Sequence, residues 1–161
     1  MQIELRNDPS FRPLDILSIG NDIAVDQILE TIVTDVKVVS FVSRHAGSLN
    51  EGFEYLAEND IDLILLALDL PDSKGLGTFM RIRGLAPEIP IVVITTREDE
   101  AVSRRLIMEG AYDCIFASQL RPSVIMRTLM YALERKGWKD YVSECHGARE
   151  RNGNGARPRP W

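Results

Sequence analysis

Three carboxylates stand where an α/β chain can use them. Asp22, Asp69 and Asp72 each follow an apolar run and precede a helical pattern. Carboxylates gathered at strand ends can bind a hard divalent cation, and a carboxylate can attack an electrophile. The spacing of these three specifies no coordination sphere, so Asp22 and Asp69 read as solvated acids at the mouth of a cleft, and no metal is expected. Gly75-Leu76-Gly77 lacks the further glycine of a dinucleotide-binding loop and reads as the opening of a helix. Cys114 falls inside an apolar run and reads as inert core, while Cys145 stands apart, so the two make no disulfide framework. His45 has no partner in the pattern and reads as a surface loop residue. Thr95 ends the run IVVIT, where strand propensity alone accounts for a β-branched residue.

The elements that must position these residues alternate. Leu14 to Gly20 reads as a first strand and Val36 to Val42 as a second. The stretch from Ile61, IDLILLALDLPDSKG, begins with the apolar run of a strand buried on both faces and ends in turn formers. Ile91 to Thr95 is a fourth strand and Tyr112 to Phe116 a fifth. Between them lie five helical patterns. The first, capped by Asp22, shows Val25, Ile28, Leu29 and Ile32 on one face. The second opens with a capping box of Ser48 and Glu51 and buries Leu49, Gly52, Phe53 and Leu56. The third faces inward with Leu76, Phe79 and Met80 and closes before Pro87 and Pro90. The fourth runs from about Glu98 to Glu109, with Gly110 ending it, and the fifth from Pro122 to about Lys136. Buried strands joined by short connections predict an α/β fold: a doubly wound, five-stranded parallel sheet in flavodoxin-like order 2-1-3-4-5, with helices on both faces.

Residues 1–13 are polar, carry Pro9 and Pro13, and read as a flexible leader. Residues 14–136 form the domain, and 137–161 an extension disordered from about 147. With 161 residues and 45% apolar content, the chain suits one core. The net charge is −5, distributed as +3 over Gly147 to Trp161, with arginines at 149, 151, 157 and 159, and −8 over the remainder. Nucleic acid is therefore an unsuitable partner for the domain itself, although the tail offers an arginine cluster to an acidic partner. No run is long enough to span a membrane and no signal-peptide core is present, so the expected location is the cytoplasm.

The spacing of Ala67, Pro71 and Gly75, with GAYD at 110–113 and YALER at 131–135, resembles the receiver domain family of two-component response regulators, the CheY-like fold. The resemblance covers roughly residues 14–136 and implies a phosphorylation pocket beyond the carboxyl ends of the strands. That chemistry requires a nucleophilic aspartate, acids that bind magnesium, a lysine against the phosphoryl oxygens and a switch hydroxyl. Counting back from Pro71 and from Gly75 puts the acceptor at Ala67. The acidic pair falls on Gly20 and Asn21; a shift to Asn21 and Asp22 would put the following helix out of phase. The lysine falls on Ala117, followed by Ser118 in place of the family's frequent proline, and only the hydroxyl survives, as Thr95. The resemblance thus implies a degenerate pseudo-receiver with no magnesium site and no enzymatic activity.

Asp69, two residues past Ala67, is the candidate for a relocated acceptor, which would make the chain an active response regulator. A third reading is a small-molecule sensor using the pocket freed by the lost side chains. The last helix carries Val124, Ile125, Thr128, Leu129 and Ala132 on one side and a second apolar line of Met126, Met130 and Leu133. A helix covering a sheet needs one stripe, so the second suggests a docking surface for a histidine kinase, another regulator, an output protein or a second copy. The alternative is that residues 138–145 fold back and cover it.

Overall fold

Five runs of leucine and β-branched residues lie side by side in the computed structural model, which describes residues 14–20, 25–28, 30 and 41–133. The leader, Asn21, Asp22 and the extension lie outside the described residues, as do the side chains of Phe41, Ala132 and Leu133. The strands are β1 (Leu14–Ile19), β2 (Phe41–Ala46), β3 (Leu63–Ala67), β4 (Ile91–Thr95) and β5 (Asp113–Phe116). All pair in parallel, in the order β2-β1-β3-β4-β5. β3 and β4 are buried on both faces because helices cover both, which is why their sequences are apolar without alternation.

Helical residues 25–28 and 30 are what is described of α1. It is followed by α2 (Leu49–Glu58), α3 (Leu76–Leu85), α4 (Glu100–Met108) and α5 (Pro122–Leu133). Two apolar layers result. Leu17, Ile19, Leu66 and Val93 meet Leu49 of α2, Phe79 and Ile82 of α3 and Leu106 of α4. On the other face Ile16, Leu65, Val92 and Ile94 meet Val25 of α1 and Ile125 and Leu129 of α5. The predicted capping box opens α2: the Ser48 side chain accepts from the Glu51 N–H, while the Glu51 carboxylate accepts from the Gly47 N–H at 2.7 Å. Gly110, at φ 109°, follows the last turn of α4 as expected.

Three expectations are corrected. The second strand is Phe41–Ala46, overlapping the predicted Val36–Val42 at two residues; residues 36–40 lie outside those described. β2 is an edge strand, so Ser43, Arg44 and His45 are tolerated in it without apolar burial. His45 consequently belongs to a strand, not a loop, and its Nδ1 lies 3.2 Å from the Asp26 carboxylate. Met80 does not face inward: it is 44% exposed, and Thr78, Phe79 and Ile82 form the buried face of α3. Ile82 lies one turn beyond Phe79 and Thr78, whereas Met80 is rotated about 100° away from Phe79.

Arg44 of the edge strand also donates to the buried Asp15 carboxylate at 2.7 Å, and the Asp62 carboxylate accepts from the Asp15 N–H at 2.8 Å. This cluster ties β2, β1 and the entry to β3 together at the amino ends of the strands, opposite the end where the cleft lies.

Candidate functional site

Beyond the carboxyl ends of β1, β3 and β4 lies a cleft of about 300 Å3. Ile19, Val25, Leu65, Ala67, Leu68 and Ile94 supply apolar walls; Ser18, Gly20, Asp69, Thr95 and Thr96 complete the lining. The strand order reverses beside β1, which is where a doubly wound sheet leaves room for a ligand. Four of the expected positions therefore come together: Gly20, Ala67, Asp69 and Thr95. Ala117 begins a single 3₁₀ turn after β5 and is not among the described residues lining the cleft.

The close approach of Gly20 to Ala67 defines the floor. Gly20 has φ 156°, and its N–H donates to the Ala46 carbonyl at 2.8 Å, pinning the end of β1 to β2. A Cβ built on Gly20 would lie 2.8 Å from the Ala67 Cβ. Any side chain at position 20 therefore meets both a backbone conformation that disfavours it and a methyl group already in place.

The remaining polar groups are engaged in ways the sequence did not indicate. The buried Thr95 hydroxyl accepts from the Arg97 N–H at 3.1 Å. The Arg97 guanidinium lies 3.7 Å from the Asp69 carboxylate across the cleft mouth, with both side chains solvated. Ser118, at the position after Ala117, donates to Glu98 at 2.5 Å and links the β5–α5 connection to the β4–α4 loop. Ser18 and Thr96 are polar lining residues that sequence reading missed; for Ser18 the polar break it makes in LDILSI was the available signal.

Asp72 is not a cleft acid. Its carboxylate accepts from the N–H groups of Leu49 and Asn50 at 2.8 and 3.0 Å, capping α2 from the β3–α3 turn. Those two backbone hydrogen bonds hold its carboxyl below the ordinary value of 3.8. A folded-state pKa below the unfolded one contributes stability that is present above the unfolded value and lost as pH falls through the folded value. We expect the melting temperature of the parent to fall more steeply than that of Asp72→Asn as pH drops below about 4. Parallel melting curves between pH 3 and 6 would contradict this. In the same turn, the Thr78 hydroxyl donates to the Leu68 carbonyl at 2.9 Å and lies 2.8 Å from the Ser73 hydroxyl. Gly75, at φ 67°, precedes the first residue of α3, as the helix-opening reading of Gly75-Leu76-Gly77 requires.

Magnesium needs several oxygen ligands, carboxylates foremost. Among the described residues no group of three His, Cys, Asp or Glu is placed to hold a metal ion. Asp69 is the one carboxylate among the described lining residues, and Asp72 is committed to α2. Asn21 and Asp22, where the receiver pattern looks for further metal ligands, lie outside the described residues. Cys114 is half-buried, and burial pushes its thiol above the ordinary value, which suppresses the nucleophilic thiolate.

On the far side of the sheet, α5 buries Ile125, Thr128 and Leu129. Met126 is half-buried against the same layer, Met130 is half-buried, and Tyr131 is 56% exposed. The Leu133 side chain lies outside the described residues.

Residues 16–127 match the response regulator receiver domain. The probable C4-dicarboxylate response regulator DctR of Bacillus subtilis is 29% identical over 126 residues, 78% of this chain and 52% of that protein. The glycerol metabolism activator of Pseudomonas putida is 40% identical over 63 residues, 39% of this chain and 28% of that protein. The chain thus spans about half, or less, of the length of these relatives. Among solved structures, the signal receiver domain of an HD domain-containing protein from Pseudomonas fluorescens superposes with a TM-score of 0.68 at 20% identity, covering 81% of this chain and 94% of that one. NtrX from Brucella abortus gives 0.68 at 23% identity over 83% of this chain and 30% of its own. Those structures share the fold, and the sequence match establishes the kinship: this chain belongs to the response regulator receiver domain family.

Proposed function

We propose that this chain is a receiver that signals without accepting a phosphoryl group, acting in bacterial two-component or phosphorelay-like transduction by binding another protein. The observation that carries this reading is Ala67. A methyl group lines the cleft at the position the receiver pattern assigns to the nucleophile, and it cannot attack phosphorus. Ala117 replaces the lysine, and Gly20 removes one of the acids. The scaffold is kept while its phosphoryl chemistry is gone, so the selected property is the surface that the scaffold presents.

A second reading keeps Asp69 as a relocated acceptor, because its carboxylate does line the cleft. Its ion-pair partner among the described residues is the solvated guanidinium of Arg97, and the receiver's lysine position holds Ala117. A carboxylate without a metal or a buried cation beside it is a poor phosphoryl acceptor.

The protein partner is a histidine kinase, another regulator, an output protein or a second copy, met through Met126, Met130 and Leu133 of α5. The domain carries net negative charge, which disfavours nucleic acid. Among the described residues no helix is long and apolar enough to cross a membrane, and we place the protein in the cytoplasm. Met130→Glu puts a charge on the surface line of α5 while leaving Ile125 and Leu129 in place. We expect it to weaken self-association, read by light scattering, or capture of a co-purified kinase or regulator, by at least about tenfold, the scale of one lost interface anchor. Undiminished binding by a variant with an unchanged melting temperature would rule out α5 as the docking surface.

A further inference from the structure

We infer that the cleft beneath Arg97 binds a small organic amine, a protonated nitrogen carried on a compact hydrocarbon body. This rests on the reading that the cleft no longer serves phosphoryl transfer. Its volume of about 300 Å3 lies at the lower end of small-molecule sites, roughly 300–1,000 Å3.

Three observations define the ligand chemistry. Val25, Leu65 and Ile94 are buried apolar walls, and the Ala67 methyl adds to them where an active site would place charge. Asp69 is the one charged side chain among the described lining residues, so within the lining a cation finds a charged partner and an anion does not. Arg97, 3.7 Å away and 78% exposed, is a weakly held counterion that a ligand ammonium can displace. The third is Ser18. Its hydroxyl lines the cleft in a residue only 5% exposed and has no hydrogen-bond partner among the described residues. A buried hydroxyl left unpaired is costly, and a polar atom on a bound molecule would satisfy it. Thr95 accepts from the Arg97 N–H and keeps its own O–H for donation.

The test uses the full chain labelled with ¹⁵N, no phosphodonor, and three matched probes: benzylamine, benzyl alcohol and benzoate. Benzylamine is expected to shift the amides of Gly20, Ala67 and Thr95 with a dissociation constant on the order of 1–10 mM, as suits so small a ligand. Benzoate should leave them in place, and benzyl alcohol should bind at least about fivefold more weakly, for want of a charge-assisted hydrogen bond. Asp69→Asn, a solvated position, should lower benzylamine affinity by a similar factor; Ala67→Leu should fill the cleft and abolish binding. Should Ala67→Leu fail to fold, Asp69→Asn still decides. No shift with benzylamine, equal shifts with benzoate, or unchanged affinity in Asp69→Asn would each overturn the inference. None of these outcomes bears on phosphate acceptance, which is read separately by mass.

Discussion

Placing an aspartate at position 20, to restore one acid of the receiver pattern, is expected to destabilise the protein rather than revive the site. Gly20 holds φ at 156°. A non-glycine residue kept there costs about 1–3 kcal/mol. The new Cβ would lie 2.8 Å from the Ala67 Cβ, between two strand ends that are hydrogen-bonded to their neighbours. Forced overpacking adds about 1–3 kcal/mol. Together these give a loss of about 2–6 kcal/mol, which at roughly 2–4 °C per kcal/mol for a chain of this size lowers the melting temperature by roughly 4–24 °C. Ala67→Gly in the Gly20→Asp background removes the second contribution, less about 0.5–1 kcal/mol for a glycine in a strand, and leaves the first, so it should recover part of the loss. A Gly20→Asp protein that melts with the parent would show that the strand ends part freely, and the close-approach argument would fail with it.

A loss of comparable size is expected from Phe79→Ala. Phe79 is fully buried among Leu66, Ile82 and Val93, where α3 lies against β3 and β4. Truncation of a buried phenylalanine costs about 3–5 kcal/mol, combining lost transfer energy with the cavity left behind. The preceding residue is Thr78, whose hydroxyl donates to the Leu68 carbonyl behind the cleft. Loosening α3 should therefore broaden the amide signals of Leu68 and Asp69 as well as lower the denaturant midpoint. A midpoint shift worth less than about 1 kcal/mol would mean that the layer repacks around the missing ring.

How legible these features were depends on the distance over which each is determined. β3 and β4 were readable because a parallel strand covered on both faces is apolar throughout, and the short length of each run and the turn formers beside it separate it from a buried helix. β2 was misplaced because FVSRHA, at the sheet edge, has neither an apolar run nor strict alternation, while the β-branched residues before it did. Met80 was assigned inward because three apolar residues in five fit a helical stripe at more than one phase; the phase is set by which side meets β3 and β4. The receiver pattern brought Gly20, Ala67 and Thr95 to one cleft, and local anchors at each strand end made that possible. Asp72 could not be read so: its carboxylate caps a helix 23 residues away in sequence, and only the folded chain juxtaposes them. The same holds for the Arg97–Asp69 pair and for the contact between Gly20 and Ala67, which are properties of packed loops rather than of spacing.

The central claim is that the receiver scaffold has shed its phosphoryl chemistry, and intact-mass spectrometry after incubation with acetyl phosphate and magnesium tests it most directly. The account predicts no added phosphoryl group on this chain under conditions that label an active receiver treated in parallel. A gain of one phosphoryl group that disappears in Asp69→Asn would contradict it and establish Asp69 as the acceptor.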